Sequence, residues 1–145
     1  MSNLSIAGYF PFTRVRITEQ TVHDEAEAAM IYLQQDLRYR PLCHDCQKPA
    51  LTVHTQGRRL VVQDLNLATK DVWLDVEYRK IWCEHCDGVP VEHLSFCDAG
   101  KRGTHRLARY IHGLCGFAPV FSTSCYASIS HTFDLHTRPV CLQQK

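Results

Sequence analysis

The chain has 145 residues, room for one ordinary domain or two very small ones. Its 16 basic and 15 acidic residues nearly cancel, so overall charge gives no support to nucleic-acid binding, and any such reading has to rest on local clusters. Met1 to Phe10 lacks the basic segment and long apolar run of a signal peptide, and no stretch approaches the ~18 apolar residues of a membrane span. The expectation is a cytoplasmic protein, whose eight cysteines in a reducing compartment read as metal ligands or core residues before disulfides.

In chain order, the first segment is mixed. Val15 and Ile17 alternate with Arg14 and Arg16, as a strand does. Asp24-Glu25-Ala26-Glu27-Ala28-Ala29 has helix composition. Met30-Ile31-Tyr32-Leu33 suits either state. Pro41 restricts Arg40 to extended geometry just before Cys43-His44-Asp45-Cys46. Leu51-Thr52-Val53-His54 then reads as a strand leading to a turn at Gln56-Gly57. Arg59 to Leu67 reads as the next strand, with Leu60, Val62 and Leu65 facing inward. Val72, Leu74, Val76 and Tyr78 alternate with Trp73, Asp75, Glu77 and Arg79, a clean period of two.

That strand leads into Cys83-Glu84-His85-Cys86. Asp98 to Gly103 reads as a linker. Thr104 caps a helix running to about Cys115, with Leu107, Tyr110, Ile111, Leu114 and Cys115 on one face. Lys101, Arg102, His105, Arg106 and Arg109 make its start basic. Beyond Cys115 the periodicity fails, and Gly116 to Lys145 is rich in Ser, Thr and Pro.

Two Cys-x-x-Cys pairs carry the chemistry. Each makes a tight turn that aims two sulfurs at one point, and two such turns close a tetrahedral zinc shell at Cys43, Cys46, Cys83 and Cys86. A closed shell leaves no open position, so the expected Zn2+ is structural. Four thiolates and one divalent ion move the formal net charge from +1 to −1. The 36 residues from 47 to 82 give room for strands between the knuckles, the layout of a zinc ribbon. Gln47 and Asp87 follow the knuckles where a glycine eases the turn, so both are candidates for positive φ. His44 and His85 read as neighbours of the site or as surface groups. Cys97 and Cys115 read as core.

The basic residues Lys101, Arg102, His105, Arg106 and Arg109 are candidates for phosphate contacts. An ordinary solvated helix face is the equal alternative. Arg38, Arg40, Arg58, Arg59, Arg79 and Lys80 add to the DNA case if they share that surface, and Asp71, Asp75, Glu77 and Glu84 oppose it. No Gly-rich phosphate loop and no Ser or Cys nucleophile motif is present. The scattered carboxylates, Asp64 and Asp75 among them, assign no nuclease triad. The chain is therefore read as no enzyme, with no small-molecule substrate.

The run Val72 to Cys86, with Glu92-His93-Leu94-Ser95-Phe96, Lys101 to Tyr110, Leu114-Cys115, Asp36 to Cys46 and Val53-His54, resembles the amino-terminal region of the ISL-three type of insertion-sequence transposases. The resemblance covers roughly residues 12 to 115. It implies a zinc finger followed by a helix-turn-helix that binds the element's terminal repeats. It implies Cys43, Cys46, Cys83 and Cys86 as the zinc ligands, and strands around Ala29 to Leu33. In the family a second helix, a recognition helix and an RNase H-like catalytic domain follow. Here Gly116-Phe117-Ala118-Pro119 and the Ser-, Cys- and Pro-rich tail stand instead, which reads as a truncated transposase whose tail is out of the ancestral frame.

The expected fold is α+β: a small β-rich zinc ribbon with antiparallel strands, one amphipathic helix and an irregular tail. The divisions are a β-rich segment 1–42, a zinc-ribbon module 43–98, a basic helix 99–116 and an irregular tail 117–145. The expected function is a zinc-stabilised module of a transposase that binds double-stranded DNA. The alternatives are a zinc-dependent protein-interaction module forming a homodimer through the helix, or a decayed reading frame.

Overall fold

The computed structural model describes residues 9–117. Four strands and one helix follow in order: β1 Val15–His23, β2 Ala28–Gln35, β3 Thr52–Leu67, β4 Lys70–Trp82 and α1 His105–Phe117. The sheet order is β1-β2-β4-β3. β1 pairs antiparallel with β2, and β3 antiparallel with β4, but β2 and β4 run parallel, with Ala28 opposite Asp71 and Leu33 opposite Val76. The sheet is thus mixed, not purely antiparallel. Parallel pairing has a consequence for the site. The last residues of β2 lead to Cys43 and those of β4 lead to Cys83, so both knuckles emerge at one end of the sheet.

The helical composition of Asp24 to Ala29 does not prevail. Asp24 to Glu27 is a turn, with Glu27 at φ 48°, and Ala28 opens β2. β2 lies between β1 and β4 and buries Ala29, Ile31 and Leu33 along one face, where tertiary packing overrides propensity. β4 buries Val72, Leu74 and Val76 on the same face, following its sequence alternation. Phe10, Leu94, Phe96 and Cys97 close over these residues, and Phe12 packs on Phe96 with ring centroids 4.5 Å apart.

The expected turn at Gln56-Gly57 is absent. β3 runs through it unbroken, and the pairing steps from Thr55 opposite Lys80 to Arg58 opposite Tyr78. One extra residue on β3 makes this a bulge, with Gly57 at φ 73° supplying the left-handed backbone. Similar shifts follow Val53 and Asp64. Between Arg58 and Asp64 the pairing is regular, so plain alternation puts Asp64 in phase with Val62, fully buried, and leaves Leu65 half-buried.

The expected linker is strapped to β3. The Gln63 N–H donates to the Arg102 carbonyl (2.8 Å), and the Thr104 N–H donates to the Gln63 carbonyl (3.0 Å). Thr104 caps α1, its hydroxyl accepting from the Leu107 N–H (3.2 Å). Leu107 is buried, Ile111 is half-buried, and Tyr110 and Leu114 stay exposed. Most of the expected irregular tail, 118–145, lies outside the described residues, as do Cys125 and Cys141.

Candidate metal centre

Both Cys-x-x-Cys runs fold as tight turns closed by backbone hydrogen bonds. The Gln47 N–H donates to the Cys43 carbonyl (3.0 Å) and the Cys43 N–H to the Lys48 carbonyl (2.9 Å). In the second knuckle the Cys83 N–H donates to the Gly88 carbonyl (3.0 Å). Gln47 and Asp87 take φ 60° and 48°, the left-handed positions expected from the sequence. Two non-glycine residues accept this strain at matching places because the turn brings each pair of sulfurs together.

The segment after the second knuckle joins the two. It pairs with β4 on one side, where the Ile81 N–H meets the Pro90 carbonyl (3.0 Å) and the Glu92 N–H the Arg79 carbonyl (3.0 Å). On the other side the His44 N–H meets the Val91 carbonyl (3.2 Å) and the His93 N–H the Leu42 carbonyl (2.7 Å). Arg79 and Glu92 lock this segment with a buried ion pair.

The four sulfurs lie within 4.8 Å of one another. Cys43 Sγ is 3.7 Å from Cys86 Sγ, and Cys46 Sγ is 3.5 Å from Cys83 Sγ. Both distances are far beyond a disulfide bond of about 2.0 Å. They approach the sulfur–sulfur edge of about 3.8 Å that a tetrahedron with zinc–sulfur bonds of about 2.3 Å requires. The donor set therefore fits a divalent ion that takes four thiolates. Cys43 and Cys83 are buried beside Ala50 and Ile81, while Cys46 and Cys86 have solvent access.

The thiols answer to one another. Burial pushes the Cys43 thiol up. Burial also works against ionising Cys83, yet the Cys86 N–H and the thiols of Cys46 and Cys43 outweigh it and hold Cys83 at about 7. The neighbouring Cys46 thiol, then burial, push Cys86 up to about 12. Without a cation, one thiolate suppresses the ionisation of its neighbours. A bound divalent ion removes that repulsion.

The histidines of the knuckles stand beside the cluster. The His44 ring lies 6.0 Å from His93, and His85 is exposed. Cys97 is buried, and burial raises its thiol to about 12. A small cavity of about 100 Å³ lies beside it, lined by Leu60, Tyr78, Val91 and Leu94 among others.

The charged residues divide. Arg79 faces the interior, bonded to Glu92, and Arg59 pairs with Asp75 (2.9 Å). Neither adds a free cation to a DNA surface. Arg106 pairs with the fully buried Asp64, its Nε 2.6 Å from Oδ1, and lies over the rings of Phe10 and Phe12. Its guanidinium serves the core. His105 Nε2 is 3.0 Å from Asp98 Oδ1. Lys101, Arg102 and Arg109 are exposed. The pairing of Asp64 with Arg106 and of Asp75 with Arg59 gave no signal in the sequence, because the partners lie 42 and 16 positions apart.

No family model matches the chain, and no solved structure matches it. A curated relative does. The transposase for insertion sequence element IS1001 of Bordetella parapertussis is 36% identical over 87 residues, which cover 59% of this chain and 21% of the relative. The match thus spans about a fifth of that transposase. It supports a transposase-related origin for this chain. Among the described residues, no helix is long and apolar enough to cross a membrane.

Proposed function

We propose that this chain is a zinc-stabilised DNA-binding module of the transposase type. The observation that carries the reading is the gathering of four cysteine sulfurs within 4.8 Å in a chain similar to a transposase. Zinc at Cys43, Cys46, Cys83 and Cys86 pins β2, β3 and β4 at one end, where a small core needs a cross-link. Lys101, Arg102 and Arg109 then face the phosphates of double-stranded DNA, the terminal repeats of a mobile element being the natural target. Arg106 and His105 support that surface from their pairs with Asp64 and Asp98.

On this reading the chain cuts no DNA. Asp64 and Asp75, the carboxylates weighed for a nuclease, are held by Arg106 and Arg59. The test is binding of the zinc-loaded chain to a labelled duplex across a salt series, with a chelated sample beside it. Binding that weakens steeply with salt and disappears on chelation supports the module. A folded, zinc-loaded chain that leaves DNA unbound at low salt contradicts it. Exposed Tyr110 and Leu114 favour one second reading, self-association through α1, and that association would persist at high salt.

A further inference from the structure

The end of the sheet nearest the cysteines carries a second basic cluster. Arg14 precedes β1 and Arg16 lies at its start, and Arg38 and Arg40 lie in the loop between β2 and the first knuckle. Residues 37 to 40 are all exposed, Leu37 at 77% and Tyr39 at 47%. Asp36 is the carboxylate among them, and it is already held by Arg38 through a two-point contact at 2.6 to 3.0 Å. Among the described residues, Arg14, Arg16 and Arg40 pair with no carboxylate.

This cluster is built rather than accidental. Arg14 sits at φ 66°, a conformation that a non-glycine residue holds only when its surroundings impose it. Its carbonyl accepts from the Asp36 N–H (3.0 Å), and its guanidinium donates to the Arg40 carbonyl (2.9 Å). The guanidinium carbons of Arg14 and Arg38 lie 5.3 and 6.0 Å from the Tyr39 ring centre. One exposed tyrosine therefore orders two arginines at the surface. The first knuckle anchors the other end of the loop.

The cluster also lies near the helix start. Thr13 Oγ1 is 3.2 Å from Ser95 Oγ, and the His105 N–H bonds the Phe96 carbonyl (2.8 Å).

We propose that Arg14, Arg16, Arg38 and Arg40, with Tyr39 ordering Arg14 and Arg38, form a second seat for the phosphate backbone of duplex DNA beside the helix start. The proposal rests on the DNA-binding reading above and places half of the contact on a loop that the metal holds. Ordered guanidiniums facing water with one neutralising carboxylate suit phosphate, which takes paired N–H donors.

The test measures affinity of the zinc-loaded full chain for a labelled mixed-sequence duplex against salt. Arg16→Gln with Arg40→Gln removes two cations whose side chains make no hydrogen bond among the described residues, so folding is unaffected. The expected result is a salt slope shallower by about two and binding about tenfold weaker at low salt. Tyr39→Ala weakens binding, and Tyr39→Phe, which keeps the ring, restores it. The double variant binding with the slope of the unaltered chain overturns the second seat, while loss of affinity in Lys101→Gln with Arg102→Gln would leave the DNA reading standing. No salt-sensitive binding by the unaltered chain overturns both.

Discussion

Arg79 and Glu92 form a buried, doubly bonded ion pair beside the four-cysteine cluster. The guanidinium meets Glu92 Oε2 at 3.0 and 2.8 Å, and the Arg79 N–H meets Oε1 at 2.8 Å. Glu92 also bridges to Cys43, so the pair ties β4 to the first knuckle through the segment that follows the second. A metal on the four cysteines would hold the same junction by independent means.

Removing one partner of that pair leaves the other charged and buried. Glu92→Ala should destabilise the zinc-loaded chain by about 3–5 kcal/mol, and Glu92→Ala with Arg79→Met should recover part of the loss. Denaturant midpoints of the two variants check this. Equal stability of Glu92→Ala and the unaltered chain would make the pair incidental.

Thr104 does two things at once. Its hydroxyl donates to Asp64 Oδ1 (2.7 Å) and accepts from the Leu107 N–H (3.2 Å), joining the cap of α1 to the buried carboxylate of β3. Thr104→Ala should cost about 1–2 kcal/mol and Thr104→Ser much less, since serine keeps both bonds. Thermal melts of both variants separate the hydroxyl from the methyl.

Gly57 and Gly88 differ in what they demand. Gly57 lies at φ 73° with open space around it, so Gly57→Ala should cost about 1 kcal/mol through the backbone alone. Gly88 has no such φ, and an added Cβ would meet the Cys86 carbonyl oxygen at an ordinary 3.8 Å. Gly88→Ala should be close to neutral. The same melts compare the two.

What the sequence disclosed and what it hid divide along physical lines. The knuckles were legible because sulfur spacing is itself the geometry, and β4 was legible because one face is buried and the other is not. The N-cap at Thr104 was legible because capping is local. At β2 the residues themselves misled, since Asp24 to Ala29 has helix composition and Met30 to Leu33 suits either state; strands there were implied only by the family resemblance, and pairing on both sides makes them. Gly57 gave a true left-handed signal but served a bulge instead of a turn. Asp64, Arg79 and Arg106 looked like surface charges, because nothing local shows that a partner waits 13 or 42 positions away.

Metal loading should release protons. In the metal-free chain Cys83, held at about 7, is largely ionised in mildly alkaline solution, while Cys86 at about 12 is not, and Cys43 is raised as well. Binding one zinc should therefore release more protons near pH 6 than at pH 8, because Cys83 is still protonated at the lower pH. The metal holds the thiols ionised in the folded state, so its stabilisation is present at neutral and higher pH and is lost as pH falls. Proton release in weakly buffered solution, measured at the two pH values, checks the trend.

On this reading one metal ion on four cysteines holds the fold together. Native mass spectrometry of the chain purified with zinc, beside thermal melts with and without a chelator, is the decisive measurement. It should find one zinc per chain, lost in Cys43→Ser with Cys83→Ser, and loss of the cooperative melt on chelation. A metal-free chain that melts cooperatively at the same temperature would contradict it.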